Sequence, residues 1–292
     1  MAQIREIKQR MVAVGTIQRI TKTMQMIATA KFTAAVQRTK ATQPYTAKIR
    51  ELVGAVCNDP SEVNHPLAGS DQPSIGRELV LIISSDRGLC GAYNGHVLRT
   101  AKKFIGERAA AGIDVEVRTS GKKAVAFCKF EKIEVAKKYD VGDKPAFEQV
   151  SEMADQFMGS YSAHEFDAVH VVYMKFETNS RQNPEIMQLL PLEPSAHETS
   201  SDDEAGKISY EFTPGEDELL NDLLPRAVKT ALFQAYNDSV VSEQVMRMIA
   251  MKSASDNATS LGRTLKRDYN RARQAKITTE LTEIVSGAAA LE

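Results

Sequence analysis

Apolar residues recur at helical spacing over the first fifty positions. Ile4, Ile7, Met11 and Val14 fall three, four and three residues apart, a seam suited to pairing one helix with another. The pattern then predicts a slip: Ile17, Ile20, Met24 and Ile27 form a second set, offset by a three-residue step of the kind that overwinds a coiled coil locally. Ala28, Ala30, Ala34 and Ala35 follow, small enough for another helix to approach closely. Pro44 predicts an end or a kink near Gln43, because its ring lacks the helical N–H and disfavours helical backbone before it. Tyr45 to Val56 is helical again in pattern, and Asn58 to Gly76, with three prolines, reads as a loop.

From Glu78 the period changes. Leu79-Val80-Leu81-Ile82-Ile83 is a short continuous apolar run, the mark of a strand buried on both faces. Ser84 to Gly88 turns the chain, and Tyr93 to Arg108 is a helix in pattern. Strands are expected at Ile113–Arg118, Ile133–Ala136, Val169–Phe176 and Ile186–Leu190, with helices at Lys122–Cys128 and Ala146–Tyr161. Strands alternating with helices predict a layered α/β domain on a mostly parallel sheet.

The last third is helical. Thr213-Pro214-Gly215-Glu216 combines a capping box with proline at the first helical position, where its missing N–H costs nothing. Pro225 is expected to break off a short first helix. From there to Ser286 the only glycine is Gly262, so one helix of roughly 90 Å is predicted, longer than a compact domain of this size needs. Its apolar seam reads as Val241, Val245, Met248, Leu261 and Leu265. A long polar helix cannot bury itself alone, and the first fifty residues are its natural partner. The fold class predicted is therefore α/β: an antiparallel coiled coil of the long N- and C-terminal helices with an inserted Rossmann-like α/β domain. The boundaries are 1–57 and 213–292 for the two shaft helices and 77–212 for the inserted domain.

Charge changes the picture more than composition does. The chain of 292 residues has a net charge of only −1, with 42% hydrophobic and 26% charged residues, ordinary for a globular protein. Residues 1–50 nevertheless carry ten Lys/Arg against Glu6 alone, a net +9, and residues 193–222 carry ten acids against Lys207, a net −9. Residues 243–283 hold eight bases and five acids, a net +3. Basic terminal helices and an acidic internal loop imply two faces for two different partners. No apolar run is long enough for a transmembrane helix, and no secretory signal opens the chain. Cys57, Cys90 and Cys128 are too irregularly spaced for a disulfide framework or a zinc site, which fits a reducing compartment.

Candidate chemistry is sparse. Ser84-Ser85-Asp86-Arg87-Gly88-Leu89-Cys90-Gly91 lies between a buried strand and a helix, where phosphate loops sit in α/β proteins. It has neither the Gly-Lys-Ser/Thr ending nor the three-glycine fingerprint, so Asp86, Arg87, Gly88 and Gly91 read as a structural turn. Cys90 has no neighbouring His or acid in a recognisable arrangement and reads as a packed thiol. His170 is a strand residue, and no catalytic or metal-ligating set is found. A basic helix can grip phosphates, but these cations run round the helix and aromatics are nearly absent.

Four segments, taken together, resemble the gamma subunit of F-type (F1Fo) ATP synthases over essentially the whole chain. They are Ile17-Gln18-Arg19-Ile20-Thr21-Lys22-Thr23-Met24-Gln25-Met26-Ile27-Ala28, the Ser84–Asn94 turn, Met248-Ile249-Ala250-Met251-Lys252-Ser253-Ala254-Ser255-Asp256-Asn257-Ala258, and Arg273 to Ala290. The resemblance implies a non-catalytic rotor: a central stalk, without cofactor, that transmits rotation between a proton- or sodium-driven membrane c-ring and a catalytic hexamer of alpha and beta subunits. It implies one copy per complex, with three alpha, three beta and an epsilon subunit as partners and no nucleic acid. Matched position by position, Lys22, Met24, Arg273, Gln274 and Thr278 are the residues that face the hexamer, and Tyr210 lies toward the c-ring or epsilon. The implied location is peripheral, on the cytoplasmic face of a bacterial plasma membrane, since no presequence precedes the shaft helix. Ala13 stands where some relatives carry a hydroxyl, and Lys31-Phe32-Thr33 lacks the second basic residue usual in the family. Two other readings stay open at this point: a coiled-coil scaffold with a nucleotide-binding α/β domain near Gly88–Gly91, and a basic helical nucleic-acid binder.

Overall fold

The computed structural model describes residues 2–56, 65–67, 73–192 and 216–289. The chain divides into two compact units, one of residues Met1–Ala30 with Arg247–Glu292, the other of Lys31–Met246. Two long helices run through both: α1 (Ala2–Val56) and α5 (Glu216–Ala289).

In the first unit the two helices pair along one seam. Gln18 Nε2 donates to Thr259 Oγ1 at 2.8 Å, while a methyl carbon of Val14 lies against Gly262. Moving toward the N-terminus on α1 thus moves toward the C-terminus on α5, so the pair is antiparallel. The register of α1 differs from the one its apolar residues predict. A line of buried and half-buried positions runs Ile4, Ile7, Met11, Val14, then Thr21, Gln25 and Ala28, and continues through Phe32, Ala35, Thr39, Thr42, Thr46 and Ile49, with half-buried Thr16, Met24, Val36 and Arg38 flanking it. That is an unbroken alternation of three and four, with Gln18 filling the remaining step, and no slip occurs. Ile17, Ile20 and Ile27 stand outside it, each more than half exposed. The polar seam positions satisfy themselves: Thr21, Thr39, Thr42 and Thr46 each donate their hydroxyl to a carbonyl one turn back. On α5 the seam is Met248, Met251, Ser255, Ala258, Gly262, Leu265, Tyr269, Ala272 and Lys276, and the expected seam residue Leu261 is half exposed.

Both prolines lie inside their helices, so neither break occurs. Pro44 is exposed, which leaves the carbonyl it cannot bond open to water, and buried Thr39, Thr46 and Ile49 hold the helix on either side. Pro225 is likewise flanked by buried Leu224, Ala227 and Val228. Packing outweighs a local penalty of about 3 kcal/mol. Of the expected capping box, Thr213, Pro214 and Gly215 lie outside the described residues, and α5 begins at Glu216. The acidic stretch 193–206 and Cys57 also lie outside them.

The second unit is a three-layer α/β domain. Its strands are β1 (Arg77–Ile83), β2 (Asp114–Ser120), β3 (Lys137–Tyr139), β4 (Ala168–Thr178) and β5 (Arg181–Leu190), in sheet order β3-β2-β1-β4-β5. The first four are parallel, and β5 returns antiparallel to β4 through a tight hairpin, making the sheet mixed and Rossmann-like in order. The expected strand at Ile133–Ala136 falls a few residues later, at Lys137–Tyr139; Ile133 and Val135 instead pack against the core. Helices α2 (Tyr93–Ala110) and α3 (Lys122–Glu131) cover one face, meeting Val80, Ile82, Val117 and Val172. The other face, with Leu79, Leu81, Ile83 and Val171, is covered by α4 (Phe147–Ser162) and by α5 through Leu224, Val228, Leu232 and Tyr236. Alternate side chains of β1 feed the two layers, which is why its sequence is apolar throughout.

Candidate functional site: the shaft surface and the Asp86 turn

The sequence-predicted turn is a structural joint. Gly121 precedes α3 with φ of +95°, and a Cβ there would fall 2.2 Å from the Ser84 carbonyl oxygen, so only glycine fits. With the backbones this close, the turn after β1 caps α3 across 36 to 40 residues of sequence. Asp86 Oδ1 accepts from Lys122 N at 3.0 Å, the Ser85 carbonyl from Lys123 N at 3.1 Å, and Ser84 Oγ from Ala124 N at 2.8 Å. The first amides of α3 are the groups that would cradle a phosphate, and they are already taken. Arg87 contributes its carbonyl, which accepts from Ser85 Oγ at 2.7 Å; Gly88 lies beside the Lys123 side chain, and Gly91 takes φ of +59°. Asn94 donates to Ser85 Oγ at 2.8 Å and to Cys90 Sγ at 3.1 Å, fixing a thiol that is 2% exposed. Cys90 is a packed thiol, as expected.

The carboxyl ends of β1 and β2 are where a doubly wound domain holds its ligand. Here α5 lies across them: Tyr236, Ser239, Val240 and Glu243 join Ser84, Asp86, Ser120 and Gly121 around a cavity of 30 Å³. That is room for about one water, an order of magnitude below a small-molecule site. This geometry disfavours a nucleotide at the turn. Among the described residues no group of three or more His, Cys, Asp or Glu is arranged to hold a metal ion, and no helix is long and apolar enough to cross a membrane.

At the other end of the sheet two features lay outside the sequence reading. Asp167 draws in Ser74 Oγ and the amides of Ile75, Gly76 and Arg77, at 2.6 to 3.2 Å. Burial pushes its pKa up, but the four donors outweigh burial and hold the carboxyl below its ordinary range. Glu78 on β1 and His170 on β4, diagonal neighbours in register, are both buried; Glu78 Oε2 lies 3.1 Å from His170 Nε2 and 3.1 Å from Arg108 Nε. Burial, with the Arg108 charge nearby, brings the His170 pKa down to about 4. Burial raises that of Glu78, against the pull of Arg108.

The residues matched to the shaft surface are dispersed. Lys22 is exposed and Met24 half-buried on α1; Arg273, Gln274 and Thr278 are exposed on α5. Beyond Lys276 every described α5 side chain through Gly287 is exposed, including Ile277, Leu281, Ile284 and Val285, each at least 49%. An apolar helix end of this kind marks an interaction surface. Tyr210 lies outside the described residues.

Capped turn, filled crevice and exposed apolar end define a class: an antiparallel pair of long helices carrying an inserted α/β domain, with an apolar helix surface open at the end of α5. Comparison with known proteins makes this specific. A family model described as ATP synthase matches residues 3–291. The ATP synthase gamma chain of Rhodopirellula baltica is 37% identical over 296 residues, and that of Leptospira biflexa 37% over 293, each covering all of both chains. Chains of two Euglena gracilis mitochondrial ATP synthase structures share the fold. One, from an assembly of OSCP, F1 and c-ring, has a TM-score of 0.67 at 20% identity, covering 99% of this chain and 95% of that one. The other, from the rotor, has a TM-score of 0.63 at 21% identity, covering 94% and 99%. The chain belongs to the ATP synthase gamma-chain family, the central-stalk rotor component, which is not the catalytic subunit.

Proposed function

We propose that this chain transmits rotation between an ion-driven c-ring and the catalytic alpha/beta hexamer, so coupling proton or sodium flow to ATP synthesis. The observation that carries the reading is the full-length match to gamma chains together with the free, apolar end of α5. The Euglena structures it resembles are of F1 with a c-ring and of a rotor, which supports the same pair of partners. In this reading residues 1–57 and 213–292 form the shaft, 77–212 the inserted foot domain, and one copy serves three alpha and three beta subunits, with epsilon at the foot. Lys22, Met24, Arg273, Gln274 and Thr278 bear on the hexamer, and Tyr210 on the c-ring or epsilon. A basic shaft against acidic collar loops favours encounter and register through charge complementarity. The bacterial gamma chains among its relatives support a peripheral place on the cytoplasmic face of the plasma membrane.

Reconstitution tests this. The purified chain mixed with alpha and beta subunits should co-elute at one copy per three of each and raise ATP hydrolysis strongly. Stepwise deletion from Glu292 back to Arg273 should lower that turnover progressively. Failure to co-elute, with turnover unchanged, sinks the reading.

A further inference from the structure

The two long helices are held to the α/β domain by different means. α5 is built into the main core: Leu224, Val228, Leu232, Ala235 and Tyr236 all belong to the cluster under the sheet. Among the described residues, neither of the two large core clusters takes a side chain from α1. α1 instead enters a small third cluster, in which its Phe32, Ala35 and Val36 meet Val240 and Val241 of α5 and Phe176 of β4. The Phe32 and Phe176 rings meet edge to face with their centroids 6.3 Å apart. Beside them Lys31 Nζ pairs with Asp143 Oδ2, a partly exposed ion pair too well screened to hold a helix by itself.

The sheet reaches α1 by way of an arm. β4 pairs with β1 from Ala168 to Val172, and from Tyr173 to Thr178 it pairs with β5 alone among the described strands. A two-stranded ribbon of this kind is marginal unless something packs on it. Here α5 covers its base: Met174 is fully buried, and its carbonyl accepts from Ser242 Oγ at 3.3 Å. Farther out Lys175, Glu177 and Thr178 are exposed, and Phe176 alone turns inward, toward Phe32. The extension of β4 beyond β1 thus ends in one inward contact, and that contact is with α1.

We propose that this arm braces α1 against the α/β domain, and that the Phe32–Phe176 contact sets the torsional stiffness of the shaft at its base. The inference rests on the rotor reading and names the residues that fix the shaft to the foot. Close-packed side chains on rigid elements transmit strain. A pair of helices resists twist with both members where both are fixed; with α1 released, α5 carries the load alone. Phe32 and Phe176 are therefore positioning residues, acting through the helix they hold.

The test is the angular spread of a probe on the α/β domain, in a nucleotide-arrested complex of the full chain with alpha and beta subunits held down through the hexamer. The probe sits on Phe130→Cys, a position 81% exposed, in a Cys57→Ser chain whose Cys90 and Cys128 are buried. Phe32→Ala and Phe176→Ala should each raise the mean-square angular fluctuation about twofold, as one of two helices is released. Phe32→Leu should keep it near the parent value, and unloaded ATP hydrolysis should not change in any of the three. Val97→Ala, in the core under α2, should lower the melting temperature yet leave the spread unaltered, which separates bracing from stability. An unchanged spread in both alanine variants, or equal widening by Val97→Ala, overturns the inference and leaves the rotor reading standing. A parent complex that neither co-elutes nor turns overturns the rotor reading, and this inference with it.

Discussion

Gly121 and His170 show how single positions act through neighbours distant in sequence. At Gly121 a methyl group would overlap the Ser84 carbonyl, and the φ of +95° is itself unfavourable for any other residue. Gly121→Ala should therefore destabilise the domain by about 3 kcal/mol or more, read by urea denaturation, because the obstacle is backbone and cannot rotate away. At His170 the shift has a definite sign. The unfolded imidazole takes up its proton near pH 6.5, while the folded one stays neutral down to about 4. Stability is thus fully present above about pH 6.5 and declines as pH falls toward 4, by about 3 kcal/mol for this group. The raised Glu78 carboxyl acts oppositely, since the folded state takes up that proton more readily, and offsets part of the loss at the acid end. Urea midpoints measured near pH 7.5 and pH 5 should differ in the native chain and converge in His170→Gln. The pattern of residues 168–172 places His170 on a strand; its partner Glu78, ninety residues earlier, becomes visible only once β1 and β4 pair.

At the scale of the element, the two shaft helices keep a seam that hydrophobicity conceals. A search for apolar residues selects Ile17, Ile20 and Ile27, yet the buried line passes through Thr21, Gln25 and Ala28. Threonine is tolerated there because its hydroxyl bonds to the preceding turn, and alanine because the helices run close. Ile20→Gln should therefore change the thermal midpoint of the isolated chain very little, equivalent to less than about 0.5 kcal/mol. Ala28→Leu, which adds volume at a position 1% exposed, should cost about 1–3 kcal/mol. Circular dichroism melts of both variants separate the two registers, and the reverse ranking would refute the one described. The same concealment explains the prolines: local chemistry forecasts a break at Pro44 and Pro225, and burial on both sides of each overrides it.

For the whole molecule, the free end of α5 separates stability from function. Residues 277–287 are all exposed, so deleting 277–292 should leave the melting temperature within a degree or two while removing most of the stimulation of ATP hydrolysis in the reconstituted complex. A large drop in melting temperature would show instead that the tail supports the fold. Local patterns set the broad plan: two helical chain ends, an inserted sheet with alternating helices, and a turn at Asp86 after the first strand. Each of these rests on local periodicity or on residue types close together in the chain. Tertiary structure decided what depends on distant partners. It drew the seam through small and polar residues, kept both helices whole through proline, and capped α3 from the Ser84–Asp86 turn. It also filled the crevice at the sheet's carboxyl end with α5. Hydrogen bonding and burial between residues far apart in sequence set these features, and no local pattern encodes them.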